Sequence, residues 1–227
     1  MNQFTENRRI ETRVLTVLIG AMFACGFNPT SVAQAADANS QLSVEYVARL
    51  GALNGNITGM RTTGEARFSV AGDKLTISVE VDGVPPDLVH WQHFHGFTDN
   101  RAATCPGPAA DANADGIIDL IETEPTSGTT MVPFIEDPVS MDVAQGTYPK
   151  ASATGTYKYR ETVSLKDLTA AFAKAFNGQT LDLDRRVVFV HGVAAASKLP
   201  GSVASLGPIP ADVTLPIACG TIERRKL

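Results

Sequence analysis

The chain has 227 residues, with 19 basic and 24 acidic side chains and a formal net charge of −5. A protein that binds nucleic acid through its phosphates needs clustered Lys and Arg, so this balance argues against a nucleic-acid partner. Residues 1–35 have the pattern of a secretory signal peptide: a charged start, an apolar run and small residues ending at Ala35. The apolar run, roughly 14 residues, is shorter than the about 20 that a membrane helix needs. We therefore expect an exported protein, periplasmic or secreted, without a membrane span.

Residues 36–227, which remain after cleavage, are enough for a single well-buried domain. They contain two cysteines, Cys105 and Cys219, far apart along the chain. An oxidising compartment favours a disulfide between such a pair, and the alternative is two unpaired thiols.

Short β-strands are the commonest predicted element. Alternation of apolar and polar residues marks SVEYVARL, GEARFSV and KLTISVEV, and Ala71-Gly72-Asp73 predicts a hairpin between the last two. Further extended segments are HWQHFHGF, GTYKYRETVSL, RRVVFVHGV and LPIACGTI. One helix is predicted from Ser164, a capping residue, to Asn177, which precedes a glycine. We therefore expect an all-β fold, an antiparallel Greek-key β-sandwich or flattened barrel with long loops and one short helix.

A long insertion rich in Pro, Gly and Asp occupies about residues 98–148, and loops of this length are usually functional or organised by a metal. Within it, DANADGIIDLIE fits the twelve-residue calcium loop D-x-N-x-D-G-x-x-D-x-x-E throughout. Five side chains and one main-chain carbonyl are the predicted calcium ligands: Asp111, Asn113, Asp115, Ile117, Asp119 and Glu122.

The flanks of this loop argue against a paired EF-hand. TCPGPAA before it cannot form a helix, and Pro125 is expected to end any helix after it. We therefore predict an isolated, structural calcium site that orders the insertion. The alternative is a solvated acidic turn.

Histidines are concentrated in HWQHFHG, which holds three of the four in the chain. On a strand, His93 and His95 point to one face and His90 to the other. The remaining histidine, His191, lies on another predicted strand and can supply a third imidazole. Because imidazole suits copper and zinc, we predict a transition-metal site formed by His93, His95 and His191. His90 is expected to hydrogen-bond to the backbone, and the alternative is that all four are polar residues of the strands.

Three segments, HWQHFHGF, VVFVHG and IACGTI, occur in an order that resembles the copper/zinc superoxide dismutases. In that family the last two histidines of the first segment, with the histidine of the second, bind copper. The cysteine of the third segment forms a disulfide with one in the loop after the copper strand. The resemblance thus implies copper at His93, His95 and His191, and pairing of Cys105 with Cys219.

The chain departs from that family in two places. No histidine lies between His95 and His191, so the family's bridging histidine and zinc site are missing. Pro216 stands where the family has an arginine that guides superoxide. The resemblance therefore implies a copper-only variant and does not extend to fast dismutation. A second resemblance, of YVARLGALNG and the run from TTGEARFSV to VEVDGV, is to the CHRD domains of secreted proteins and implies a β-sandwich.

Three functional hypotheses follow. The first is an exported copper protein of the superoxide dismutase-like class, with a calcium loop, that acts on a small oxidant such as superoxide or exchanges copper with a donor or acceptor. The second is a zinc hydrolase or hydro-lyase, since three histidines and a water form a catalytic zinc site. The third is a non-enzymatic, calcium-stabilised extracellular module in which the histidines are structural.

Overall fold

An antiparallel sheet makes up most of the fold in the computed structural model, which describes residues 43–59 and 61–226. The strands of these two ranges are β1 (Val44–Ala52), β2 (Thr63–Ala71), β3 (Lys74–Asp82), β4 (Gln92–Gly96), β5 (Thr129–Pro133), β6 (Thr156–Ser164), β7 (Val187–His191) and β8 (Pro216–Arg224). Their spatial order is β5-β4-β7-β8-β1-β2-β3-β6, and every pairing is antiparallel. The predicted signal peptide lies outside the described residues.

The sheet curls so that its two edge strands, β5 and β6, approach each other. The hydroxyl of Tyr157 on β6 donates to the side-chain oxygen of Gln92 on β4, at 3.1 Å. The hydroxyl of Tyr159 donates to the carbonyl of Ile135, just after β5, at 2.8 Å. Inside the curl, Phe134 packs edge-on against Phe68 with ring centroids 5.7 Å apart. The predicted all-β, antiparallel flattened barrel is confirmed.

Strand burial follows the sequence pattern. Along β3, Leu75, Ile77, Val79 and Val81 are buried, and the residues between them are at least partly exposed, because one face of this strand packs on the core. In β4 and β7 every residue is buried. Both faces of these two strands are therefore covered.

The cover over β4 and β7 comes from the long insertion. A small apolar cluster of Phe97, Ala103, Val187, Phe189 and Cys219 forms on this side of the sheet, separate from the main core. The disulfide between Cys105 and Cys219 attaches the insertion to β8, so the predicted cysteine pairing is confirmed. Among the described residues, no helix is long and apolar enough to cross a membrane.

Helices are short and more numerous than the one expected. They are α1 (Gly55–Thr58), α2 (Leu120–Ser127), α3 (Leu165–Ala175) and α4 (Ala211–Thr214). The predicted helix is α3, which begins as expected: the Ser164 hydroxyl oxygen accepts a hydrogen bond from the Asp167 amide at 3.1 Å.

The expectation that Pro125 ends any helix after the acidic loop is wrong. A capping box starts α2, with the Asp119 carboxylate accepting from the Glu122 amide and the Glu122 carboxylate accepting from the Asp119 amide, both at 3.0 Å. The helix then continues through Pro125 to Ser127. Proline removes the hydrogen bond to the carbonyl four residues earlier, that of Ile121. Both residues lie on the exposed side, where water can replace that bond.

Candidate metal centre

The three predicted metal ligands lie together on the outer face of β4 and β7. His93 pairs with Phe189 across the two strands, and His191 is two residues further along β7, at its end. The ring centroid of His93 is 4.6 Å from that of His191 and 5.0 Å from that of His95. Each residue offers one ring nitrogen, and the three nitrogens lie within 4.8 Å of one another. In the part of the chain that the structure describes, they can therefore bind one metal ion.

Irregular pairing beside the histidines adjusts their direction. The register of β4 against β5 shifts between His93 and His95, and that of β7 against β8 shifts between Val190 and His191. Such shifts twist a strand locally and change where a side chain points. Both shifts occur at the metal-binding candidates.

Backbone carbonyls fix which nitrogen is protonated in two of the three rings. His191 donates from Nδ1 to the carbonyl of Thr214 at 2.7 Å, and His95 donates from Nδ1 to the carbonyl of Gly128 at 3.3 Å. A carbonyl only accepts, so the Nε2 atom of both rings keeps its lone pair. His93 turns Nδ1 toward this region, 3.2 Å from His95 Nε2. The three ring nitrogens that could bind a metal are thus His93 Nδ1, His95 Nε2 and His191 Nε2.

Burial keeps the three imidazoles neutral. It lowers the pKa of His95 to about 3 and that of His191 to about 4, because the charged form is poorly solvated inside the protein. Burial and the two neighbouring histidines also hold the pKa of His93 well below its ordinary value. At neutral pH all three rings are uncharged, which is the state that binds a metal.

The residues fit a transition-metal ion. His191 Nε2 is buried and has no hydrogen-bond partner in the described part of the protein. A buried acceptor without a partner costs about 1–3 kcal/mol, so its retention needs a reason. A metal ion bound by the three nitrogens would use this lone pair. An all-imidazole donor set suits copper or zinc and not calcium or magnesium.

His90 lies on the other face of the strand region and points away from the three ligands. Its Nδ1 is 3.0 Å from the carbonyl oxygen of His191, and its Nε2 is 2.9 Å from that of Pro85. The ring is fully buried and stacks on Tyr157 at 5.8 Å. Its contacts are those of a structural residue that holds the backbone of His191 in place.

A cleft of about 230 Å³ opens over the histidines. Its walls are four aliphatic side chains: Leu120, Val143, Leu206 and Ile209. The imidazoles of His93 and His191, the indole of Trp91 and the threonines at 130 and 214 complete the lining. None of the described residues that line the cleft is charged at neutral pH.

Sequence reasoning missed several residues of this site. The carbonyl partners of the histidines belong to Gly128 and Thr214, and the cleft walls include Leu206 and Ile209 from the segment before β8. A main-chain carbonyl can come from any residue type, so no sequence signal marks it. Positive φ at Gly128 is compatible with many loop positions and gives no indication of a neighbouring metal.

The predicted calcium ligands are held in a different way from the histidines. Asp111 accepts from the amides of Asp115 and Gly116, at 3.1 and 2.9 Å, and Glu122 accepts from the amide of Ala112 at 2.9 Å. The Asn113 side chain accepts from the Asp115 amide, and Ile117 is buried. Among the described residues, no three carboxylates of this loop bring ligand atoms within 4.8 Å of one another. Calcium binding here stays a prediction.

The acidic loop is nevertheless connected to the cleft. The Ser202 hydroxyl donates to the Asp115 carboxylate at 2.5 Å, which lowers the pKa of that carboxyl. The Ala204 amide donates to the Asp119 carboxylate at 2.7 Å. Leu120 follows Asp119 and lines the cleft, as does Leu206 just beyond Ala204. The loop therefore holds two cleft walls together.

If the loop binds calcium, the metal should raise the melting temperature of the protein. At ten times the dissociation constant the ion adds about 1.4 kcal/mol, or roughly 3–6 °C for a domain of this size. The double change Asp111→Ala and Glu122→Ala should abolish the rise, measured by thermal unfolding with calcium against a chelator. Glu124→Ala, on an exposed position of α2, is the matched control and should retain it. No rise in the unaltered protein would remove the calcium assignment.

Gly128→Ala should destabilise the protein and loosen the site. Its φ of 72° and ψ of −157° belong to a region that only glycine adopts readily. A Cβ atom there would also lie 2.1 Å from the carbonyl oxygen of Gly96. Gly178→Ala is the control, because φ is +83° and nothing lies within 4 Å of its Cβ. In urea unfolding we expect Gly128→Ala to cost at least about 2 kcal/mol more than the control. Equal costs would contradict this packing.

No protein-family model matches the chain, and no curated protein is significantly similar to it. The function is therefore inferred from the geometry of the site and from the sequence motifs.

Proposed function

We propose that the protein is an exported copper-binding protein of the superoxide dismutase-like class, with copper held by His93, His95 and His191. The observation that carries this proposal is the convergence of three neutral imidazole nitrogens, one of them a buried acceptor without another partner. The backbone carbonyls of Gly128 and Thr214 orient two of the rings, as is usual for metal-binding histidines. When bound, copper would supply one-electron chemistry between its Cu(II) and Cu(I) states.

Copper is favoured over zinc for two reasons. Sites of the same donors bind Cu(II) more tightly than Zn(II). Many zinc hydrolases also use a general base near the metal-bound water. Among the described residues that line the cleft there is no carboxylate, and its two histidines are proposed ligands. The zinc alternative therefore lacks a partner for its chemistry.

The cleft favours copper exchange or redox chemistry on uncharged molecules over fast dismutation of superoxide. Rapid capture of an anion depends on positive side chains that concentrate it at the site. The cleft lining in the described residues contains no Lys or Arg. Pro216 stands where the copper/zinc superoxide dismutases have an arginine that guides superoxide. It pairs with His191 in the sheet. A copper donor or acceptor, or an uncharged redox substrate, is thus a more suitable partner than superoxide.

Export is supported by the disulfide. Structural disulfides persist in oxidising compartments such as the periplasm and the cell exterior. The link between Cys105 and Cys219 is compatible with such a location. The signal-peptide pattern of residues 1–35 supports the same proposal.

Metal competition tests this function directly. Protein stripped of metal would be equilibrated with equal, buffered amounts of copper and zinc and then analysed for bound metal. We expect about one copper per chain and a Cu(II) EPR spectrum with hyperfine splitting from several nitrogens. Predominant zinc occupancy would favour the hydrolytic alternative. Binding of neither metal would favour the structural module.

A further inference from the structure

The cleft over the histidines has the dimensions of a small-molecule site. Its volume, about 230 Å³, is below the roughly 300 Å³ at which sites for drug-sized ligands begin. A molecule with a single ring therefore fits it, and a peptide or a fused ring system does not. His93 and His191 lie within its lining, so an occupant would contact the proposed metal centre.

In the metal-free protein, the electrostatic surroundings disfavour anions in this cleft. The described lining has no positive side chain, and two acidic residues are adjacent in sequence to lining residues. Asp142 precedes Val143 of the cleft wall, and Tyr148 contacts both Trp91 and His93. The buried carboxylate of Asp119 is adjacent to Leu120 of the wall. An anion entering the metal-free cleft would lose its hydration without gaining a partner.

Trp91 favours an aromatic occupant. Its indole is partly exposed, stacks on Tyr148 with centroids 5.2 Å apart, and lines the cleft. Stacking on Tyr148 fixes the position of the indole before any ligand arrives. Preferred aromatic pairs gain stability beyond the burial of their area. The four aliphatic side chains of the lining add apolar surface that an aromatic ring can bury.

We propose that this cleft binds a neutral, single-ring aromatic molecule, with its ring against Trp91 and its polar substituent toward the histidines. This assignment of a substrate class rests on the proposed function, because the cleft opens on the proposed copper centre. Binding itself depends on the cleft and not on the metal. The two proposals can therefore fail separately.

Ligand-detected fluorine NMR tests the inference with two probes of matched size. 4-Fluorophenol is neutral at pH 7, and 4-fluorobenzoate is an anion. We expect 4-fluorophenol to bind the metal-free protein at least about tenfold more tightly than 4-fluorobenzoate, a difference of about 1.4 kcal/mol. Loading with Cu(II) should broaden the fluorine signal of bound 4-fluorophenol far more than loading with Zn(II), because the cleft opens on the metal. Equal affinities, or no binding of either probe, would overturn the inference.

A positive charge placed at the edge of the cleft tests whether the probes bind there. Leu206 is 43 % exposed, so Leu206→Lys should leave the fold intact while adding a cation. It should reduce the preference for 4-fluorophenol at least about tenfold by admitting 4-fluorobenzoate. Val89→Lys, at another exposed aliphatic position outside the cleft, is the control and should leave the preference unchanged. An equal response of both variants would overturn the location.

The same experiments separate this inference from the proposed function. Selective binding of 4-fluorophenol to a protein that takes up no copper would support the cleft and refute the copper centre. A nitrogen-rich Cu(II) spectrum in a protein that binds neither probe would support the copper centre and refute the cleft. The single tryptophan of the chain, Trp91, gives an independent reading, since its fluorescence should change when a ring stacks on it.

Discussion

Replacing His191 with alanine should lower the affinity for Cu(II) by more than about 100-fold. Changing a residue that only hydrogen-bonds to a metal ligand already lowers metal affinity by about 10–100-fold. His191→Ala removes one of the three proposed ligands themselves. The affinity would be measured by competition with a chelator of known strength. The EPR spectrum of any copper that still binds should show fewer coupled nitrogens. An unchanged affinity would end the case for a shared centre.

A control on the same strand separates ligand loss from altered packing. Phe189 lies two residues before His191 and contacts His95, with ring centroids 4.7 Å apart. Phe189→Leu changes the packing beside the site and leaves all three imidazoles in place. We expect it to retain copper within a few-fold of the unaltered protein. Similar losses in both variants would indicate that packing, and not coordination, explains the effect.

The candidate ligands could be predicted because the chemistry is carried by residue type. Only four histidines occur in the chain, and alternation along a strand puts His93 and His95 on one face. The pairing of His93 with Phe189 then brings His191 beside them. The tautomers could not be predicted, because they depend on the carbonyls of Gly128 and Thr214, which only the folded chain brings near the rings.

The strands of the main sheet were predictable, and the interior of the insertion was not. The alternation of apolar and polar residues predicts β2 and β3 over almost their full length. The strand β5, with the sequence TTMVP, is short, has three consecutive buried residues and ends in a proline, so it lacks a period-two signal. The helix α2 contains Pro125, which sequence rules read as a stop. In both elements, tertiary contacts outweigh the local preferences of the chain.

The disulfide joins the least predictable part of the chain to the most regular part. Cys219 pairs with Phe189 across β7 and β8, and Phe189 contacts His95. Cys105 precedes the acidic loop, whose side chains hold the segment that carries Leu206 and Ile209. Cross-linking these regions therefore affects both the fold and the wall of the cleft.

Loss of this disulfide should destabilise the protein strongly. The bond joins residues 114 positions apart, so its removal greatly increases the freedom of the unfolded chain. We expect Cys105→Ala with Cys219→Ala to lower the free energy of unfolding by about 2–5 kcal/mol in urea. The metal-free protein should be used, because reducing agents also reduce Cu(II). Reduction of the unaltered protein is the matched comparison, since it breaks the bond without deleting sulfur atoms. A similar loss by both routes would assign the effect to the cross-link, whereas stability unchanged by reduction would contradict it.

Copper affinity after removal of the disulfide should fall less than in His191→Ala, because the disulfide supports the ligands and does not supply one.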